Sequence, residues 1–160
     1  MEEEQYLADA LFFSLVEISS LPPDESLASL SGHPSSPPPY ATTVIRRCEE
    51  AWSTPLRSLT CEQVKSLLVQ RMGLEWLGRP LLDFVTRQPA AMVLNYPGDM
   101  SLGCLRAAQE LSDLAPVELR AWLRGDFGWI VDAFAWDEEG RLLDEAQNTL
   151  AAARALIRLQ

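Results

Sequence analysis

Six prolines fall between Leu21 and Tyr40, namely Pro22, Pro23, Pro34, Pro37, Pro38 and Pro39, and this run constrains the chain more than any other feature. A proline has no amide proton to donate, and its ring clashes with the preceding helical turn. A run this dense, with Ser and Gly between, is expected to sustain neither a helix nor a central strand. It is therefore read as a surface connection over residues 21–41, separating an N-terminal segment from the rest.

The remaining prolines act as punctuation, and the stretches between them carry apolar residues at helical spacing. Leu7, Ala10, Leu11, Ser14, Leu15 and Ile18 recur as one face, so residues 4–18 are expected to form an amphipathic helix. A short helix is expected from Thr42 to Trp52, before Pro55. Thr60 and Gln63 have the spacing of a capping box, and Val64, Leu67, Leu68 and Met72 follow as a buried stripe, which predicts a helix over 61–72. Pro80 suits the first turn of the next helix, with Leu81, Phe84 and Val85 facing inward and an end near Gln88.

Asn95-Tyr96-Pro97-Gly98-Asp99 has turn chemistry. Pro97 presets one position, Gly98 accepts a positive φ, and Asp99 is expected to cap a helix over 100–111. Pro116 opens a helix to Arg124, with Gly125 as its stop. Residues 127–136 fit either a strand, by alternation of Trp129, Val131, Ala133 and Ala135, or a helix face, by Trp129, Ala133 and Trp136; helix is preferred. Leu142, Ala146, Leu150, Ala153 and Ile157 predict a final helix. The fold class expected is mainly α: a single-domain helical bundle with an N-terminal helix (1–20), the Pro/Ser-rich connection (21–41), a helical centre (42–111) and an acidic, Trp-rich segment with a C-terminal helix (112–160).

Charge bears on function. The 160 residues carry a formal charge of −10, unevenly placed. Residues 1–30 hold seven acids and no base, 31–109 hold six acids and eight bases, and 110–145 hold ten acids and three bases. A molecule of this sign repels nucleic-acid phosphates and anionic lipid, so direct binding to either is not expected, whereas a basic protein partner is favoured. No stretch is apolar for long enough to span a bilayer, and the acidic start Glu2-Glu3-Glu4 is unlike a secretory signal, so a cytoplasmic protein is expected. Cys48, Cys61 and Cys104 are odd in number and widely spaced, which argues for buried thiols rather than disulfides or zinc ligands.

Catalytic groups are scarce. His33, the sole histidine, lies in the Pro/Ser run, and Lys65, the sole lysine, lacks a phosphate-loop context. No dinucleotide or nucleophile-elbow motif occurs. No enzyme activity, cofactor or metal is expected, and a carboxylate-pair enzyme is a distant alternative. Asp137, Glu138 and Glu139 cluster before Gly140, while Trp122, Trp129 and Trp136 recur every seven residues in the same acidic stretch. Tryptophans ringed by carboxylates suit a surface that receives arginine and lysine side chains, although the same spacing suits core positions. The candidate partner-binding residues are Asp126, Asp132, Asp137, Glu138, Glu139 and Asp144, with Trp129 and Trp136 as anchors.

Three ordered blocks carry a family resemblance: "TTVIRRCEEAWSTPLRSLT" (42–60), "CEQVKSLLVQRMGLEWLGRPLLDFV" (61–85) and "NYPGDM" (95–100). Pro55 and Leu56, then Leu59 and Thr60 at a helix start, Gln70 near its end, and Tyr96 to Asp99 resemble the pattern of immunity proteins from bacterial contact-dependent growth inhibition systems. Arg79, Pro80 and Met100 depart from it, and the N-terminal helix and the acidic C-terminal third lie outside it. The resemblance implies a small cytoplasmic protein that binds the C-terminal domain of a cognate toxin one to one and neutralises it. Such toxins are often nucleases, RNA-cleaving ones included, whose basic cleft an acidic inhibitor can occupy. A chaperone or adaptor for a secreted effector is the alternative of similar size and charge.

Overall fold

A computed structural model describes residues 2–36 and 38–159; Pro37, one of the six prolines of the run, lies outside them. The protein is mainly helical. In chain order the helices are α1 (Glu2–Phe12), α2 (Leu27–Ser31), α3 (Thr43–Ser53), α4 (Cys61–Val69), α5 (Leu74–Arg87), α6 (Asp99–Arg106), α7 (Ala108–Leu114), α8 (Pro116–Leu123), α9 (Trp129–Ala133) and α10 (Arg141–Arg158). Among the described residues there is no strand, only the isolated bridges Ser26 to Pro55 and Met92 to Pro97. The chain divides into two compact units, residues 1–81 and 82–160, with the boundary inside α5.

In the first unit α1 continues into a π-helical segment, Phe13–Ile18, so the expected N-terminal helix is present with a widened second half. Leu7, Ala10, Leu11 and Leu15 are its buried stripe. α3 packs on α4, where the Cys48 thiol donates to the Ser66 carbonyl at 3.5 Å. α4 starts with the expected capping box: the Thr60 hydroxyl accepts from the Gln63 amide at 3.1 Å, and the Gln63 side chain accepts from the Thr60 amide at 3.0 Å. It stops at Val69, short of the expected 72, because Arg71 turns to φ +58 and Gly73 to φ +71. The next helix also departs from expectation. α5 begins at Leu74, so Pro80 lies inside it rather than in its first turn, although the end at Arg87 is as read. The amide missing at Pro80 is tolerated where apolar packing from Leu77, Leu81 and Leu82 holds the helix.

The Pro/Ser run is more structured than its composition implies. α2 forms inside it: the Ser26 hydroxyl accepts from the Ser29 amide, the Ser29 hydroxyl accepts from the Ser26 amide, and Gly32 at φ +73 ends the helix. Leu27 is fully buried, and a Cβ on Gly73 would approach its Cδ1 to 3.1 Å. Neighbouring backbone is pinned from α3. The Trp52 indole donates to the His33 carbonyl at 2.8 Å, and Glu49 accepts from the Ser35 hydroxyl and the Ser36 amide. The expectation that residues 21–41 hold no helix fails because the prolines leave Leu27 to Ser31 uninterrupted, and one buried leucine with two reciprocal caps is enough to stabilise a single turn.

In the second unit α10 packs on α6, α7, α8 and α9. Its buried face is Ala146, Leu150 and Ala153, as the periodicity predicts. The helix expected over 100–111 is two helices, α6 and α7, meeting at Ala107. α8 opens on Pro116 as read, and residues 127–136 contain a short helix, α9. Gly98 takes φ +78, and the Asp99 amide donates to the Tyr96 carbonyl at 3.1 Å to close the turn. Asp99 does not cap α6, however. It is the first helical residue, fully buried, and its carboxylate reaches back to accept from the amides of Val93, Leu94 and Asn95 at 3.0, 2.8 and 2.9 Å.

Candidate protein-binding face

Within the second unit the tryptophans at seven-residue intervals are joined by other rings into one continuous chain. Trp122 contacts Phe127 with ring centroids 5.1 Å apart, Phe127 contacts Trp129 at 5.9 Å, Trp129 contacts Phe134 at 6.3 Å, Phe134 contacts Tyr96 at 6.1 Å, and Tyr96 contacts Trp136 at 5.7 Å. The chain runs from inside to outside. Trp122 is 6% exposed, Trp129 is half-buried, and Trp136 is 53% exposed. Helical spacing therefore served both purposes: Trp122 is core, and Trp136 is a large apolar surface held at one edge by the Tyr96 ring.

Gly98 forms the floor under this chain. A Cβ there would fall 2.9 Å from Trp129 Cζ3 and 3.2 Å from Phe134 Cζ, at a φ that side chains rarely adopt. The Arg106 guanidinium acts electrostatically on the Tyr96 phenol from α6. Burial pushes the Tyr96 phenol up, against the opposing pull of Arg106. Arg106 in turn meets Glu145 with two hydrogen bonds, of 2.5 and 2.8 Å, and this contact holds the Glu145 carboxyl below the usual carboxylate range. That pair joins α6 to α10.

The six acidic candidates surround the outer end in sequence but do different work. Asp126 Oδ1 accepts from the Gly128 amide at 2.7 Å and shapes the turn before α9. Asp137 Oδ2 accepts from the Leu142 amide at 2.9 Å, which satisfies a first-turn donor of α10. Glu139 pairs with Arg141 at 2.8 Å, both side chains well exposed. Asp132 on α9, Glu138 in the following turn and Asp144 in the first turn of α10 are exposed and, among the described residues, form no ion pair with an arginine or lysine. From 126 to 144 six carboxylates face a single base, Arg141. Val131, 52% exposed on α9, adds apolar surface beside Asp132.

Sequence reasoning missed Tyr96, Phe127, Val131 and Phe134. Phe127 and Phe134 share the seven-residue spacing of the tryptophans and were visible in that pattern; Tyr96 comes from a distant turn and was not. The acidic N-terminal flank belongs to the first unit, where Glu2, Glu3, Glu4, Asp9 and Glu17 are exposed together with Tyr6. Cys48 and Cys104 are buried, Cys61 is partly so, and none of the three forms a disulfide. Lys65 is buried on α4, and His33 is exposed. Among the described residues no group of three His, Cys, Asp or Glu side chains is arranged to hold a metal, and no helix is long and apolar enough to cross a membrane.

Comparison of the chain with protein-family models, with curated proteins and with solved structures finds no match.

Proposed function

We propose that this chain is an immunity protein that binds a basic toxin C-terminal domain one to one and neutralises it in the cytoplasm, through the face built from α9, the turn after it and the start of α10. The observation that supports this reading is the exposed Trp136, braced by Tyr96 and flanked in sequence by the exposed carboxylates of Asp132, Glu138 and Asp144, which form no ion pair among the described residues. A nuclease, RNA-cleaving or otherwise, must present cationic surface to phosphates. Uncompensated carboxylates steer such a surface in, and a rigid indole receives an arginine or lysine side chain once water is excluded. Asp126 and Asp137 act by holding the turns that present this face, and Trp129 acts by supporting it from beneath.

The test is co-expression with the toxin domain encoded beside it, combined with association kinetics on the purified pair. The chain should protect growth and form a complex. Trp136→Ala should weaken that complex about 30-fold or more, as hot-spot tryptophans do. Reversing Asp132, Glu138 and Asp144 to Lys should slow association about tenfold and flatten its salt dependence. Undiminished killing with no complex would sink the proposal. Unchanged kinetics in both variants would move the interface elsewhere.

A further inference from the structure

Arg124, Arg154 and Arg158 line one solvent-open cleft of about 300 Å³ on a chain whose formal charge is −10. Its remaining walls are Leu123 and Ile157, and among the described residues no carboxylate lines it. Arg124 caps the end of α8, while Arg154 and Arg158 are four residues apart near the end of α10 and so share a face. Arg154 is held in place. Its Nε donates to the Leu123 carbonyl at 2.8 Å, an Nη donates to the Gly125 carbonyl at 3.1 Å, and its guanidinium lies 5.2 Å from the centre of the Phe127 ring. Those two bonds leave part of its five-donor fork unused. Arg124 and Arg158 form no ion pair among the described residues.

Helix C-termini attract cations, which accounts for one arginine at each end. Arg154 and Arg158 in addition set like charges at i and i+4, a mild repulsion that a bound anion would relieve. We propose that this cleft binds a small multivalent phosphoryl anion, such as the pyrophosphate end of a metabolite, with guanidinium forks on the oxygens and Leu123 and Ile157 against the rest of the molecule. Guanidinium geometry matches phosphoryl oxygens in bidentate fashion. The volume lies at the small end of the range for ligand sites, about 300–1,000 Å³. A long polyanion is disfavoured, because it would also meet the ten acids of residues 110–145. The site stands on geometry separate from the acidic face and does not depend on the proposed function.

Inorganic pyrophosphate titrated calorimetrically into the full chain at low ionic strength should bind one to one with a dissociation constant below about 1 mM, and inorganic phosphate more weakly. Arg124→Gln and Arg158→Gln, both at exposed positions, should each weaken pyrophosphate about tenfold or more, with the circular dichroism spectrum unchanged. Absence of saturable binding, or equal affinity in the double variant, would overturn the proposal. Tighter binding of a single-stranded RNA oligonucleotide than of pyrophosphate would overturn it too, in favour of a nucleic-acid surface.

Discussion

Replacing Asp99 is the most informative single perturbation, because one fully buried carboxylate satisfies three consecutive backbone amides, those of Val93, Leu94 and Asn95. Asp99→Ala removes both acceptor oxygens and with them all three hydrogen bonds. A buried donor left without a partner costs about 1–3 kcal/mol. Val93 and Leu94 are half-buried and Asn95 is exposed, so water can recover part of the loss, and the expected destabilisation is about 3–5 kcal/mol rather than the full sum. Asp99→Asn keeps the shape but offers one oxygen. That oxygen can serve Leu94 and Asn95 while the amide nitrogen opposes the Val93 N–H, for a loss of about 2 kcal/mol. In urea unfolding followed by circular dichroism, an m-value of about 2 kcal/mol/M turns these figures into midpoint shifts of about 2 M for Ala and about 1 M for Asn. An Ala variant within about 0.5 M of the parent would refute the reasoning. Equal losses for Ala and Asn would show that the negative charge, not the number of acceptors, is what the turn requires.

Other substitutions report on separate parts of the molecule. Gly98→Ala combines a left-handed backbone with a 2.9 Å approach to Trp129, and should cost about 2–4 kcal/mol in urea unfolding while shifting tryptophan emission. Leu27→Ala should cost about 2–4 kcal/mol despite its place in the Pro/Ser run, whereas Pro34→Ala, at an exposed position, should leave the midpoint nearly unchanged. Trp136→Ala should alter stability by less than about 1 kcal/mol, which keeps its effect on partner binding interpretable. Burial, with Glu62 nearby, pushes the Cys61 thiol up to about 12, and its Sγ lies 3.4 Å from the Leu7 carbonyl. A folded-state value above the unfolded one means this contribution is intact below about 9 and declines as the pH rises towards about 12. Iodoacetamide at mildly alkaline pH should therefore label Cys61 far more slowly in the native chain than in urea, as read by mass spectrometry.

The sequence blocks at 42–60, 61–85 and 95–100, from which an immunity protein is expected, lie apart from the face proposed for the partner at 126–144. The turn Tyr96 to Asp99 is where the two meet, since Tyr96 braces Trp136 and Gly98 supports Trp129 and Phe134. A loss of partner binding in Gly98→Ala at a temperature where the chain remains folded would connect them functionally.

Local signals determined most of the helices. The Thr60 and Gln63 box, Pro116 at a first turn and the spacing of Ala146, Leu150 and Ala153 each act over one or two turns, so the residues that create the element are neighbours in the chain. The same locality explains the misreadings. Pro80 disfavours a helix interior on its own, and only packing of the leucines around it makes the interior tolerable. Composition marked residues 21–41 as connection, yet α3 supplies Trp52 and Glu49 to fix part of that run and Gly73 leaves room for Leu27. The candidate carboxylates were legible as charge, but not their division into turn-holding Asp126 and Asp137, paired Glu139, and exposed Asp132, Glu138 and Asp144. That division, the outward grading of burial from Trp122 to Trp136 and the reversal of Asp99 towards the preceding loop all depend on which backbone amides and rings come within a few ångströms, and only the tertiary structure brings those groups together.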